Sequence, residues 1–292
     1  MVPSLPYRPG RVRVGDGLRL FYRDYAGGPG VPLLCLAGLT RHGGDFEAVA
    51  ERLRAGRRVV CLDLRGRGGS EWDPSGRSYQ PRAYLDDVRH LLAALGLGQV
   101  AVCGTSLGGF LAMGMGVLVP TALAGVILND AGPDPDLQAV AGIKAYMQSL
   151  SERPPADWAA ARAALAQAMP EIGLRSEAEW EAFTRGTFTE VDGRLVASWD
   201  PALNRSLDGR EAVPDLWPLF RSLRDLPLLL FRGENSNLLR RETVERMRGL
   251  HPSLEAITVA GAGHTPTLRE PEIQDTLDDF LDRLDRRSGR HA

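Results

Sequence analysis

Two short stretches hold the residue types that nucleophilic attack on a carbonyl requires. In Gly104-Thr-Ser-Leu-Gly108 a hydroxyl, Ser106, is fenced by glycines directly after the apolar run Val100–Cys103. In Ala260-Gly-Ala-Gly-His-Thr-Pro266 an imidazole, His264, stands alone in a loop rich in small residues. A serine hydroxyl is a weak nucleophile until a neighbouring base removes its proton, and histidine titrates in the range suited to that task. The pattern G-x-S-x-G gains meaning from its surroundings, a predicted strand before it and a predicted helix after it. A sharp turn there crowds the backbone, and glycines on either side relieve the crowding. The start of the following helix then presents free N–H groups and a positive dipole end beside the hydroxyl.

Acyl transfer also needs donors for the oxyanion that forms. The amide of Leu107, one residue past the serine, is the first candidate. The second is the amide of Leu39, in the loop Ala37-Gly-Leu-Thr-Arg-His-Gly-Gly44 that follows the strand Leu33–Leu36. The remaining histidines read as surface or structural: His90 mid-helix, His251 before a proline, and His291 in the tail. His42 reads as a solvated loop residue, with a substrate contact as the alternative.

These groups need a scaffold that brings distant segments to one edge. Strand patterns at Leu18–Tyr22, Val31–Leu36, Arg58–Asp63, Val100–Cys103 and Leu123–Asn129 alternate with helix patterns at Phe46–Leu53, Pro81–Leu95 and Leu107–Val119. The rhythm resumes with strands Leu226–Arg232 and Leu254–Val259 and helices Arg241–Leu250 and Pro271–Leu284. Near-continuous apolar strands alternating with helices predict an α/β fold, a mostly parallel sheet covered on both faces. Residues 134–224 instead carry helix patterns and four of the five tryptophans, Trp158, Trp180, Trp199 and Trp217. Most of these indoles are expected to pack helices together, with one or two as candidates for lining an apolar substrate cavity.

These motifs, in this order, resemble the α/β-hydrolase fold superfamily, in particular its cap-bearing serine hydrolases. The similarity runs through the loop at 37–44, Asp63-Leu-Arg-Gly-Arg-Gly-Gly-Ser70, Gly104–Gly108, Arg232-Gly-Glu-Asn-Ser-Asn-Leu-Leu239 and Gly263-His-Thr-Pro266. The resemblance implies an eight-stranded, mostly parallel sheet formed by residues 1–133 and 225–292, with 134–224 as an inserted helical cap. It further implies Ser106 as nucleophile, His264 as base, Leu39 and Leu107 as oxyanion donors, and a structural role for Asp63–Ser70. Where many relatives carry His-Gly this chain has Ala37-Gly38, a change that leaves the amide donor intact.

The second departure concerns the acid that holds the histidine. Relatives usually place an aspartate after the penultimate strand, where this chain has Asn237. An asparagine carbonyl can orient an imidazole but brings no charge to stabilise the imidazolium, and the equivalent change in a serine protease costs about 10⁴ in turnover. Asp130, at the end of the strand after the Ser106 helix, is the leading substitute. Adjacent parallel strands lie roughly 4.8 Å apart, which puts its carboxylate within reach of the same rim. A turn-capping role for Asp130 is equally open at this point, and Glu234 is a third choice.

Composition bounds the rest. The 292 residues fit one large domain, at roughly 100–200 residues per domain, or one domain with an insertion. With 43% hydrophobic and 25% charged residues the chain reads as an ordinary globular protein, and its net charge of −2 gives no electrostatic footprint for nucleic acid or an anionic membrane. Phe110–Leu128 is long and apolar, but Pro120-Thr121 divides it into a helix and a strand. The N-terminus lacks the apolar stretch of a signal peptide, and Cys35, Cys61 and Cys103, each inside a strand pattern, read as buried thiols of a reducing, cytoplasmic compartment. No metal or organic cofactor is implied.

The expected activity is hydrolysis of a carboxylic ester or lactone of a small to medium, largely apolar substrate through an acyl-enzyme. Alternatives are carbon–carbon bond hydrolysis of a ketonic substrate, or a non-hydrolytic binding protein on the same fold. Serine rather than aspartate at 106 argues against a haloalkane dehalogenase.

Overall fold

The computed structural model describes residues 5–174, 176–207 and 215–290, so His291 lies outside the described residues. The chain opens with β1 (Arg8–Arg13), β2 (Arg19–Pro29), β3 (Leu33–Leu36), α1 (Glu47–Leu53), β4 (Arg57–Leu62) and α2 (Pro81–Ala94). Then come β5 (Val100–Thr105), α3 (Leu107–Leu118) and β6 (Leu123–Asn129). The intervening segment holds α4 (Leu137–Glu152), α5 (Trp158–Ala168), α6 (Glu177–Thr187), the hairpin β7 (Phe188–Val191) and β8 (Arg194–Ala197), and α7 (Trp217–Arg221). It is followed by β9 (Leu228–Gly233), α8 (Arg241–Leu250), β10 (Leu254–Val259) and α9 (Pro271–Arg287).

Eight strands form one sheet in the order β1-β2-β4-β3-β5-β6-β9-β10. The first two pairings are antiparallel and every pairing from β4 to β10 is parallel. The central strands β3, β4, β5, β6 and β9 are buried on both sides, and alternate side chains divide between two cores as a period of two requires. Leu34, Leu36, Val60, Val102 and Leu128 join the core under α2, α3 and α8. Their neighbours Leu33, Cys35, Val59, Cys103 and Ile127 join the core under α1 and α9. The three thiols lie in a row across adjacent strands, Cys35 opposite both Cys61 and Cys103. Burial pushes the Cys35 thiol well up and that of Cys103 up to about 12.

Three elements depart from the sequence expectation. β1 has no counterpart among the strand patterns and pairs with β2 over its whole length. β2 runs on past Tyr22, where its strand pattern ends, through Gly27 and Gly28, because a bulge near the strand end carries the backbone against β4. A Cβ on Gly27 would lie 2.1 Å from the Arg57 carbonyl oxygen, so only glycine allows that approach. The hairpin β7–β8 interrupts a stretch read as helical throughout. Its turn is Asp192-Gly193, both with positive φ, the pair that two-residue hairpin turns favour.

Candidate active site

β3, β5, β6, β9 and β10 all end at one edge of the sheet, and the register sets what meets there. Gly104 pairs with Leu36 on one side, Thr105 with Asn129 on the other, and Asn129 with Phe231 beyond. The ladder continues one rung further: the Ser106 N–H donates to the Asn129 carbonyl at 3.0 Å and the Asp130 N–H to that of Phe231 at 2.8 Å. Ser106 and Asp130 therefore occupy equivalent positions one residue past neighbouring strands. Each has a positive φ, 51° and 50°, a conformation that costs a non-glycine residue about 1–3 kcal/mol.

The turn at Ser106 is held by close packing of backbone. A Cβ on Gly104 would sit 2.3 Å from the Gly108 carbonyl oxygen, and one on Gly108 would sit 2.0 Å from that of Leu36. Ser106 stands at the N-terminus of α3 yet its hydroxyl makes no capping bond. It lies instead 3.1 Å from Nε2 of His264, and Nδ1 of that ring is 2.5 Å from Oδ2 of Asp130. A buried carboxylate accepts, so Nδ1 carries the proton and Nε2 turns its lone pair to the serine hydroxyl. Asp130 is fully buried while the His264 side chain is 16% exposed, leaving the ring at a water-accessible rim.

Of the three candidate acids, Asp130 is the one at the imidazole. Asn237 is exposed and lines a cleft beside His264, and Glu234 accepts from the Gly261 N–H at 2.9 Å, bracing the base of the histidine loop. Asp130 does not cap the entry to the intervening segment; Asp136 does, accepting from the N–H groups of Gln138 and Ala139.

The sequence reading missed Ser236, which adjoins Asn237. Its hydroxyl donates to Asp130 Oδ2 at 2.6 Å while its oxygen accepts from the N–H groups of Leu238 and Leu239. The Gly233 N–H completes the set at Oδ1, 3.0 Å away. The loop where relatives carry their acid thus supplies a hydroxyl and an amide that hold an acid from the next strand. A hydroxyl beside the missing carboxylate was the only trace in the sequence.

Leu39 and Leu107 line the same cavity as Ser106. A Cβ on Gly38 would lie 3.7 Å from that of Ser106, so the loop after β3 runs alongside this serine. Buried Arg67 fixes that loop through its Nε, which donates to the Leu39 carbonyl at 2.6 Å. The segment 63–70 therefore does more than shape its own turn. His42 contacts neither bulk solvent alone nor the cavity. Its Nδ1 accepts from the Gly44 N–H and its Nε2 donates to the Gly186 carbonyl at 2.9 Å, tying the loop to the end of α6. Burial holds its imidazole below the usual range, against the pull of Asp63 and Asp45. His90 bonds to its own helix and buried His251 to the Leu223 carbonyl.

The cavity at Ser106 measures about 310 Å³ and is overwhelmingly apolar, lined by residues such as Phe110, Val140, Ile143, Leu216 and Leu238. Its two tyrosine hydroxyls are engaged, that of Tyr79 with Asp200 and that of Tyr84 with Arg67. None of the tryptophans lines it, contrary to the expectation for one or two of them; leucines and an isoleucine from the intervening segment do so instead. Trp199 and Trp217 are buried in the core, where indoles fill large volumes between helices. No group of histidine, cysteine or carboxylate side chains among the described residues has the geometry to hold a metal ion.

A strand-end serine, a histidine from a distant loop and a mostly parallel sheet define the class. Residues 33–273 match the model of the alpha/beta hydrolase family, and the chain belongs to that family. It is 34% identical to a 3-hydroxybutyrate-oligomer hydrolase of Cupriavidus necator over 87% of this chain and 89% of the relative. It is 28% identical to a 2-(acetamidomethylene)succinate hydrolase of Mesorhizobium japonicum over 93% and 94% of the two chains. A crystal structure of an alpha/beta hydrolase from Novosphingobium aromaticivorans superposes with a TM-score of 0.88 at 34% identity, covering 96% of this chain and 99% of that one.

Proposed function

We propose that this hydrolase cleaves carboxylic esters or lactones with a small to medium, largely apolar acyl part. What carries the reading is the hydrogen-bonded line from Ser106 through His264 to Asp130, opening on an apolar cavity beside the Leu39 and Leu107 amides. Ser106 Oγ attacks the carbonyl carbon as its proton passes to His264 Nε2, and the two amides receive the oxyanion. The imidazolium gives that proton to the departing oxygen, and Asp130 stabilises its charge meanwhile. Water, deprotonated by the same ring, then releases the acid. The relative named for hydrolysing 3-hydroxybutyrate oligomers supports cleavage of an ester bond, without bearing on the character of the acyl part. A purely binding role is disfavoured, because a ligand needs no serine in a strained turn against a poised imidazole.

The test is turnover of a panel of p-nitrophenyl esters and lactones. Ser106→Ala is expected to lower kcat by at least about 10⁴-fold, and Asp130→Asn by about 10⁴-fold. Asn237→Ala is expected to cost far less than Asp130→Asn. The reverse ranking would move the acid to 237, and turnover indifferent to Ser106 would overturn the reading.

A further inference from the structure

The Ser106–His264 pair lies where two cavities meet. On the serine side is the apolar chamber of about 310 Å³; on the histidine side is a larger cleft of about 680 Å³. A thin partition divides them, because neighbouring residues at the start of α4 and in the loop after β9 face opposite ways. Pro135, Val140 and Leu238 line the chamber, while Asp136, Ala139 and Asn237 line the cleft, and Ile143 borders both.

The chemistry assigns the two sides. The carbonyl carbon must bond to Ser106 Oγ while the departing oxygen takes its proton from His264 Nε2, so the leaving group lies toward the imidazole. Resting on the acyl-enzyme reading above, we propose that the chamber receives the acyl chain, the cleft receives the leaving alcohol, and this alcohol is uncharged and carries further hydroxyls. In the forward step the ester C–O bond breaks as Oγ–C forms, and the Ser106 proton ends on the released alcohol. Water then supplies the hydroxyl of the freed acid and restores the Ser106 proton.

The wall of the cleft sets the alcohol's character. Gln138, Asn235 and Asn237 present carboxamides, each able to donate and to accept. Apart from His264, the charged groups among the described lining residues are the carboxylates of Asp136 and Glu171, with no lysine or arginine, so an anion carried further out on the leaving group meets repulsion. The arrangement also gives Asn237 a purpose. With the acid held at Asp130, position 237 removes a negative charge from the cleft and offers an amide in its place.

The experiment compares three esters of one acid, propyl, 2,3-dihydroxypropyl and 2-carboxyethyl octanoate, on the intact protein. The dihydroxypropyl ester is expected to exceed the propyl ester about tenfold in kcat/KM, and the carboxyethyl ester to be the poorest. Asn237→Ala is expected to shrink the dihydroxypropyl preference about threefold, through KM, the size of one lost hydrogen bond. Equal turnover of the first two esters, an unchanged preference in Asn237→Ala, or preference for the carboxyethyl ester would overturn the proposal. If propyl octanoate is still cleaved and Ser106→Ala abolishes that cleavage, only the assignment of the cleft falls. Failure of all three esters, together with the p-nitrophenyl panel, brings down the acyl-enzyme reading as well.

Discussion

Ser236 governs how firmly Asp130 faces the imidazole. Oδ2 of Asp130 receives both the Ser236 hydroxyl and the His264 N–H, so the serine fixes the carboxylate plane that the ring must match. Ser236→Ala removes one hydrogen bond to a charged group, worth roughly 1.5–3 kcal/mol. Its kcat on a p-nitrophenyl ester is expected to fall at least about tenfold with KM little changed, and Ser236→Thr, which keeps the hydroxyl, to recover most of the loss. A matching loss in the threonine variant would assign Ser236 to packing alone. At this scale the sequence is uneven. Ser106 and His264 stand out because glycines isolate them. Asp130 could be named only as the leading one of three positions, because its place depends on strand register. Ser236 and Arg67 could not be named at all, since their partners lie far along the chain at Asp130 and Leu39.

Among the elements, the loop after β3 depends on His42 for its tie to α6. Both ring nitrogens are used in the neutral form, Nδ1 as acceptor and Nε2 as donor, so a second proton would break the bond from Gly44. The imidazole is held below its ordinary value near 6.5, with burial the largest cause. In the window just below that value the unfolded chain binds a proton that the folded chain refuses. Stability is therefore full above about pH 6.5 and declines as pH falls through the folded value. The wild-type Tm is expected to drop more between about pH 7.5 and about pH 5 than that of His42→Gln, in which this contribution is absent. Equal drops would deny His42 the role. The strand and helix pattern of the sheet was legible because buried parallel strands are short apolar runs and helices repeat at 3.6 residues. The hairpin β7–β8 escaped because alanine-rich helices on one side set the reading, although Asp192-Gly193 between two β-branched stretches was a sound turn signal.

For the molecule as a whole, the α/β class followed from the rhythm of elements and the eighth strand only from the family resemblance, and no helix among the described residues is long and apolar enough to cross a membrane. Less legible was the shape of the space above the sheet edge, which depends on how side chains from 134–224 interdigitate. The row of Cys35, Cys61 and Cys103 has a practical consequence. These thiols sit in the central strands, out of reach of any alkylating reagent while the sheet is closed. Local fraying at the rim does not uncover them, so the three are expected to be modified together, at one rate set by opening of the entire structure. Following thiol release with a chromogenic disulfide in native buffer would check this, and one cysteine reacting ahead of the others would contradict it. The molecule thus carries its own clock for global opening, and any compound that slows the clock is bound, whether or not it is ever turned over.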